Sequence, residues 1–540
     1  MCLKTQSPWP MPEETGRIGK GLLGENDPYR LIGDQLFEKW KEEEFADLYS
    51  SEGKPGYSPV ILAFVSVFQF MERLADRQAA QALRMRLDWK YALHLPLEDA
   101  GFDFSVLSEF RDRLIEGQAE KRVFEKLVEE IRAMGLIKER GKQRSDTALK
   151  GVAMLVKVRR LSRIEMVVET LRLAVVGLVE AHREWCEEII PPSWEDRYGE
   201  RFVRQRYSEQ EWKEYEANIG NDGVWLLKRL TDGGAPAELQ DLPEVQVLGT
   251  VWAQQFREAQ GQMVYKDLKK YDGHTQIQNP HDPEARYSRK RKFEWLGDKV
   301  QVTETDDEGY PHIITDMVAT NSNQTDYEEL PLIQDRLIER QCKPGEHYVD
   351  AGYLSGPNLA HSRDLKIDLI GPLSEVVTPQ DLLPDGITQA HFQMDPQKKI
   401  ATCPQGYHAR NPSLVVNTWS FHFPQKVCAI CPLRPRCCTG KGGRTVGMNV
   451  HYDLVQTARI RQKTEAFKKD YHQHRSGVEG SLSALVRGQG MRVSRYIGHK
   501  KRNIQAIFTG CAANLQRTTH WLAGERPQVR HPKSWALIPG

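Results

Sequence analysis

The sequence predicts an all-α N-terminal domain followed by an α/β core, which helical and cysteine-rich insertions interrupt. Three observations support this class. Apolar residues recur at helical spacing near the N-terminus, short alternating segments later in the chain read as strands, and five cysteines lie between Cys403 and Cys438. A length of 540 residues predicts two to four domains. Because 75 basic residues balance 74 acidic ones, any nucleic-acid surface must be a local patch.

The N-terminal region is predicted to be helical. Residues 1–27 read as an arm, and residues 28–138 as a helical domain in which Pro59 begins one helix. Two interpretations of this domain stay open: a scaffold, or a helix-turn-helix that binds DNA ends.

The α/β core is predicted to be divided by insertions. Residues 139–151 carry a first strand around Asp146, and residues 152–292 form a mainly helical insertion that opens with one long helix from Val152 to Ile190. Residues 293–372 alternate strand, strand, helix, strand, helix and strand, the pattern of an α/β unit with parallel crossovers.

One strand of this unit runs into an acid. Tyr348 and Val349 favour a strand, Asp350 follows, and Gly352 breaks the pattern. An aspartate at such a position is most often a turn or cap residue. The alternative is a carboxylate presented at a strand tip for chemistry.

The cysteine-rich insertion, residues 373–456, is predicted to bind zinc. Cys403, Cys428, Cys431 and either Cys437 or Cys438 supply four thiols, two of them in a Cys-x2-Cys turn that suits tetrahedral Zn²⁺. Reduced structural thiols are the alternative interpretation.

The C-terminal segment, residues 457–523, reads as helices that carry Glu479 among cations, and residues 524–540 read as a loose tail. A lone acid among many cations indicates phosphate contact more than a solvated face. The predicted DNA-binding residues here are Arg475, Arg487, Arg492, Arg495, Lys500, Lys501 and Arg502. A second basic cluster contains Arg289, Lys290 and Arg291.

An ordered series of short motifs resembles one protein family along most of the chain. The series resembles insertion-sequence DDE transposases with an RNase H-like core. The motifs are Gly56-Tyr57-Ser58-Pro59, Arg144-Ser145-Asp146-Thr147, Asp282 to Tyr287, Thr303-Glu304-Thr305, Val349-Asp350-Ala351-Gly352-Tyr353, Gly371-Pro372-Leu373, Cys428 to Arg434, Gly477 to Ser483, Arg495-Tyr496-Ile497-Gly498 and Asn514-Leu515. The family's Tyr-x2-Arg-x3-Glu-x6-Lys signature is present only as Arg475-x3-Glu479, with Tyr471 one residue early, His472 at the tyrosine position and Val486 at the lysine position.

The resemblance implies a function and its residues. Asp146, Asp350 and Glu479 would be catalytic and would bind Mg²⁺ (or Mn²⁺), since two hard dications need carboxylates from separate elements. The implied partners are double-stranded DNA, as terminal inverted repeats and target site, and a second protomer on that DNA. Two alternatives remain: a metal-dependent nuclease without strand transfer, and a non-catalytic DNA-binding protein derived from a transposase.

The expected location is cytoplasmic and nucleoid-associated. No run of 18 apolar residues and no signal-peptide pattern occurs in the sequence, so no membrane contact is expected.

Overall fold

The computed structural model describes residues 2–3, 9–147, 154–199, 208–232, 234–267, 275–290, 292–375, 377–438 and 440–526. The helices are α1 (Glu13–Leu22), α2 (Pro28–Gln35), α3 (Pro59–Met71), α4 (Asp76–Met85), α5 (Leu87–Ala92), α6 (Ser105–Glu116), α7 (Arg122–Ala133), α8 (Arg163–Ala181), α9 (Arg183–Ile189), α10 (Ser193–Tyr198), α11 (Glu209–Thr231), α12 (Pro243–Gln255), α13 (Asp326–Glu339), α14 (Gly356–Asp364), α15 (Gln425–Ala429), α16 (Arg434–Cys437), α17 (Tyr452–Arg461), α18 (Glu465–Arg475), α19 (Gly477–Gln489) and α20 (His499–Leu522).

The strands are β1 (Lys142–Thr147), β2 (Met154–Leu155), β3 (Phe256–Ala259), β4 (Gln262–Tyr265), β5 (Arg286–Lys290), β6 (Phe293–Thr305), β7 (Ile314–Asn321), β8 (Glu346–Tyr348), β9 (Asp368–Ile370), β10 (Gln393–Asp395), β11 (Ile400–Thr402), β12 (His408–Ala409), β13 (Ser413–Val415), β14 (Thr418–His422) and β15 (Thr445–Asn449). The prediction of a mixed fold with an N-terminal helical region is confirmed. The predicted arm, however, contains α1.

The N-terminal helices share a core with the rest of the chain. Pro59 is the first residue of α3, where the Ser58 hydroxyl accepts a hydrogen bond from the Ile61 amide. Helix α3 is buried along nearly its whole length because it packs against α20, with the Phe70 and Phe508 rings stacked 6.1 Å apart. One continuous apolar cluster therefore joins the N-terminal helices to the central sheet.

The central sheet is mixed. Strands β1, β8 and β9 are parallel neighbours, whereas β6 lies antiparallel to β1 and β7 antiparallel to β6. Strands β2 and β5 pair with the first half of β6. The parallel crossovers predicted for this unit are therefore limited to the three strands β1, β8 and β9. The first strand of this unit, β6, begins at Phe293, where it pairs with β5.

The helical insertion has its own apolar cluster, built from α8 to α12 and the β3–β4 hairpin. The prediction of one helix from Val152 to Ile190 is wrong. Val152 lies outside the described residues, β2 precedes the helical part, and His182 separates α8 from α9 with a φ of −152°. Amphipathic periodicity continues across such a break, so the pattern alone does not reveal it.

The cysteine-rich region folds into two small three-stranded sheets, ordered β10–β11–β12 and β13–β14–β15, around a third apolar cluster. Helices α17 to α20 follow it. In the described part of the chain, no helix is both long and apolar enough to cross a membrane.

Candidate active site

Asp146 lies in β1, and Asp350 follows the end of the parallel neighbour β8 by two residues. The last pair of the β1–β8 register, Arg144 with Tyr348, lies two residues before each aspartate. The two carboxylates are close enough that the charge of Asp350 raises the pKa of Asp146. The structure therefore brings together the first two predicted carboxylates.

Asp146 is a buried carboxylate with incomplete charge compensation. Burial raises its pKa to about 6, and the nearby charge of Asp350 adds to this rise. Two contacts act in the opposite direction: Arg475 Nη2 lies 2.8 Å from Asp146 Oδ2, and the Thr147 amide donates to Oδ1 over 2.8 Å. The site consequently retains an affinity for positive charge.

Asp350 is half-buried and also acts as a turn residue. Its Oδ1 accepts a hydrogen bond from the Gly352 amide at 2.7 Å. A Cβ at position 352 would lie only 3.0 Å from that oxygen, so glycine allows the close approach. Among the described residues Oδ2 accepts no hydrogen bond, which leaves it available to a ligand. The turn interpretation and the carboxylate-site interpretation are therefore compatible.

A third aspartate, Asp326, lies beside this pair and was missed by the sequence analysis. Its Oδ1 accepts a hydrogen bond from Thr147 Oγ1 at 2.7 Å, and the same hydroxyl lies 2.7 Å from the Tyr353 hydroxyl. Burial, together with the charges of Asp326, Asp146 and Asp350, raises the pKa of Tyr353 well above its ordinary value. Negative charge is therefore concentrated around this buried phenol. In the sequence Asp326 follows the helix cap Thr325, so it reads as an ordinary helix N-terminal acid.

Helix α18 holds Arg475 against Asp146. Arg144 Nη1 donates to the His474 carbonyl oxygen at 3.0 Å, and His474 Nδ1 lies 2.7 Å from Asp306 Oδ2. One turn earlier, the Tyr471 hydroxyl donates to the Val349 carbonyl oxygen at 3.1 Å, next to Asp350. These contacts join the end of α18 to both β1 and β8.

Tyr471, not His472, faces the carboxylates. Burial raises the pKa of Tyr471 to about 12, and the charges of Asp350 and Asp146 contribute to the rise. His472 is exposed. The tyrosine that stands one residue early in the family signature is therefore the one within reach of the site.

Glu479 lies in the first turn of α19 and is exposed. The start of this helix is packed on β1, since a Cβ at Gly477 would lie 2.2 Å from Arg144 Nη1. Within the described ranges no hydrogen bond or ion pair joins Glu479 to either aspartate, and no group of three or more His, Cys, Asp or Glu is arranged to hold a metal ion. The structure thus assembles two of the three predicted carboxylates and places the third on an adjacent helix.

The four predicted zinc ligands line one cavity of about 450 Å³: Cys403, Cys428, Cys431 and Cys437. The Arg444 amide donates to Cys428 Sγ over 3.5 Å. Burial raises the pKa of Cys437, and the neighbouring cysteines 428, 438 and 431 add to this rise.

Cys438 is oriented differently from these four thiols. Its thiol donates to the Gly442 carbonyl oxygen at 3.4 Å, and Cys438 is not among the residues lining the cavity. Of the two candidates for the fourth position, Cys437 is the one that shares the cavity.

Several residues predicted to bind DNA are engaged inside the protein. Arg502 is fully buried and forms ion pairs with Asp282, at 2.6 Å, and with Asp298. The prediction that Arg502 contacts DNA is therefore wrong for this conformation, because a buried, doubly paired guanidinium cannot reach a phosphate. Arg475 belongs to the carboxylate site, as described above.

Two further cations join the C-terminal helices to the N-terminal ones. Arg495 donates to the Leu74 carbonyl oxygen at 2.7 Å, with its guanidinium 4.5 Å from the centre of the Phe70 ring. Lys501 forms a 2.7 Å ion pair with Asp112. The local excess of cations around Glu479 is thus smaller at the surface than in the sequence.

The remaining cations are exposed. Arg487, Arg492 and Lys500 have no acidic partner within the described ranges, and Lys290 is exposed at the end of β5. Arg289 is exposed and lies 3.5 Å from Glu294. Arg291 lies outside the described residues.

Comparison with known families gives two matches in chain order. The model described as a transposase domain (DUF772) matches residues 19–113, and the model described as a transposase DDE domain matches residues 402–519. The second match contains Glu479 and the four cavity cysteines, whereas Asp146 and Asp350 lie before it. No curated protein and no solved structure matched the chain.

Both matched models are transposase domains, and they support a transposase function. Together they support an insertion-sequence DDE transposase.

Proposed function

We propose that this transposase hydrolyses a phosphodiester at the ends of its element and joins the freed 3′-hydroxyl to target DNA. The observation that carries the proposal is the Asp146–Asp350 pair at the ends of neighbouring parallel strands, with Arg475 beside it. A mixed sheet that presents these carboxylates also supports the RNase H-like core that the resemblance implies.

Asp146 and Asp350, with Glu479 from α19, would hold Mg²⁺ or Mn²⁺. The donor set fits, because these ions prefer carboxylate oxygens and Asp350 Oδ2 is available. A bound divalent ion supplies charge stabilisation for in-line displacement at phosphorus. Glu479, exposed in the first turn of a helix whose start packs on β1, would supply the third carboxylate.

The neighbouring side chains would position the substrate. Arg475 partly compensates the charge of Asp146, and its guanidinium would donate to a phosphate oxygen of bound DNA. Tyr471 fixes the end of α18 on Val349, so the phosphate would meet a pre-oriented arginine. The Thr147 hydroxyl, which is also hydrogen-bonded to Tyr353, holds Asp326 at the edge of the site.

Duplex DNA, as terminal inverted repeats and target site, would lie along the exposed cations. Arg487, Arg492 and Lys500 flank α19, and such contacts give affinity that does not depend on sequence. Lys290 and Arg289, on the β5 side, form a second candidate surface. We infer that two protomers bind the paired ends, with the N-terminal helices contributing to end recognition.

A structural zinc ion would hold the cysteine-rich module together. Four thiols line one cavity, a backbone amide donates to Cys428, and thiolates are the ligands that structural Zn²⁺ takes. Within the described residues these thiols are not grouped closely enough to hold an ion as they stand, so zinc would draw them together. The ligand set we propose is Cys403, Cys428, Cys431 and Cys437.

The direct test is a reaction with a DNA fragment carrying the sequences that flank the gene. We expect nicks with 3′-hydroxyl ends in Mg²⁺, none in EDTA, and joined products when target DNA is present. Cleavage that is never followed by joining would favour a nuclease. DNA binding without any cleavage would favour a non-catalytic protein.

A further inference from the structure

The cysteine-rich module carries an unusual charge distribution. From Pro396 to Tyr452 the sequence contains no aspartate or glutamate, although acids make up 74 of the 540 residues. Eight cations lie in this stretch: Lys398, Lys399, Arg410, Lys426, Arg434, Arg436, Lys441 and Arg444. Arg434 and Arg444 are partly buried and the other six cations are exposed, with Lys398 3.8 Å from Asp395. An exposed set of cations without interspersed acids favours a polyanionic partner.

An apolar hairpin projects from this cationic module. Strand β13 pairs with β14 through Leu414 opposite Trp419 and Val415 opposite Thr418, and residues 414–417 form its tip. Leu414 is 52% exposed, Val415 59% and Val416 83%. Three consecutive exposed aliphatic residues at a hairpin tip have no role in the module's own core, whose members lie elsewhere.

The tip is also conformationally strained. Val416 has a φ of +53°, a region that glycine and asparagine tolerate and that a β-branched side chain rarely adopts. Asparagine at position 416 would adopt this φ with less strain and would expose a polar side chain to solvent, yet the residue there is valine. An exposed, strained apolar residue points to a contact made outside this chain.

A cation stands beside the hairpin. Lys399 Nζ lies 4.0 Å from the centre of the Trp419 ring, and Trp419 is the cross-strand partner of Leu414. DNA-binding proteins use such apolar wedges, whose tip inserts between stacked bases while neighbouring cations contact the phosphates. The exposed tip and Lys399 at its base have this arrangement.

We propose that the hairpin tip inserts between base pairs of duplex DNA and unstacks them. This inference rests on the DNA role proposed above. A second copy of the chain is the weaker candidate for this surface, because pairing two β13 edges would bring together two stretches (residues 396–452) that each contain eight cations and no acid.

The test compares the full-length protein with the Val415→Ser/Val416→Asn double variant. The probe is a 30-bp mixed-sequence duplex containing 2-aminopurine, whose fluorescence rises when it is unstacked. We expect the parent to raise the fluorescence, and the variant to lose that rise and to bind about tenfold more weakly. Because no charge changes, the slope of log affinity against log salt should stay the same.

Two control variants distinguish the effect of the hairpin tip from that of any exposed apolar residue and from that of charge, and a stability measurement checks that the double variant is folded. Ile460→Gln removes an aliphatic side chain that is 70% exposed on α17 and should bind as the parent does. Lys399→Gln should lower the salt slope by about one. Asparagine accepts the φ of residue 416, so the double variant should keep the parent's circular dichroism and melting temperature.

The outcomes distinguish the wedge from the proposed function. Equal fluorescence and affinity in parent and double variant would overturn the wedge and leave DNA binding intact. A parent that binds no duplex would contradict the proposed function together with the wedge. A parent that sediments as a dimer without DNA, beside a monomeric variant, would show that the tip joins two copies, and the proposal would be wrong.

Discussion

Replacing Asp146 with asparagine should stabilise the metal-free protein at neutral pH while abolishing its activity. Burial raises the pKa of Asp146 to about 6 from an ordinary 3.8. The stability that this carboxyl contributes is therefore fully present below about pH 3.8 and is lost as pH rises through about 6. Asparagine is neutral at every pH, so the variant keeps at high pH the stability that the parent has only when Asp146 is protonated.

The size of the effect follows from the two pKa values. Their difference, 6 − 3.8 = 2.2, at 1.36 kcal/mol per pKa unit corresponds to about 3 kcal/mol. We expect the free energy of unfolding of the asparagine variant to exceed that of the parent by about 3 kcal/mol at pH 8 and by roughly half of that at pH 5. The assay is urea denaturation in EDTA at both pH values.

The matched control, Asp316→Asn, should change the stability in the opposite direction. Asp316 is also fully buried, and although burial alone would raise its pKa, ion pairs with Arg336 and Arg340 hold that pKa below its ordinary value. Asp316→Asn should therefore destabilise the protein at pH 8, by about 3 kcal/mol, since two buried guanidinium groups lose the carboxylate they share and keep only Glu329 and Glu125 as acidic partners.

Adding metal should nearly remove the stability difference between parent and variant at position 146. Mn²⁺ at 100 times its dissociation constant should stabilise the parent by about 2.7 kcal/mol and leave Asp146→Asn nearly unchanged. An asparagine variant less stable than the parent at pH 8 in EDTA would refute the argument. So would a stability difference that does not shrink at pH 5.

Three further predictions concern the zinc site, the surface cations and the buried arginine. Cys428→Ser should lower the amount of bound zinc, measured by mass spectrometry of the purified protein. Cys438→Ser should not, because the Cys438 thiol points to Gly442. Equal zinc in both variants would contradict the ligand set. Arg487→Gln and Arg492→Gln should each reduce the salt dependence of DNA binding by about one in slope, and an unchanged slope would exclude phosphate contact. Arg502→Gln should lower the free energy of unfolding by about 3–5 kcal/mol, since Asp282 and Asp298 lose their partner; a loss of DNA affinity with unchanged stability would contradict its buried role.

The sequence was most informative where function depends on local context. Asp350 stands at the end of a strand-forming segment, and Pro59 at the start of an apolar helix; both features are visible within a few residues. The strand around Asp146 is polar, yet β1 is buried because its side chains pair with distant ones. Arg144, for example, contacts Glu304 across 160 residues of chain.

The sequence was least informative where partners lie far apart along the chain. Arg502 reads as one of several surface cations, but its partners Asp282 and Asp298 lie 220 and 204 residues away. Asp326 likewise reads as a helix N-terminal acid, and only the packing of α13 beside Thr147 brings it to the site. A count of charges cannot separate buried pairs from a surface patch.

The central claim is that Asp350 and Glu479 act with Asp146 at one metal-dependent centre. The most direct measurement is Mg²⁺-dependent cleavage and joining of DNA bearing the element ends, comparing Asp350→Asn and Glu479→Gln with the parent. As a control, Glu465→Gln changes an exposed acid on α18 that pairs with Lys468, three residues further along the same helix. We predict that both site variants lose at least about a thousandfold in rate while binding DNA as the parent does, and that the control keeps full activity. Parent-like cleavage by either site variant would contradict the claim.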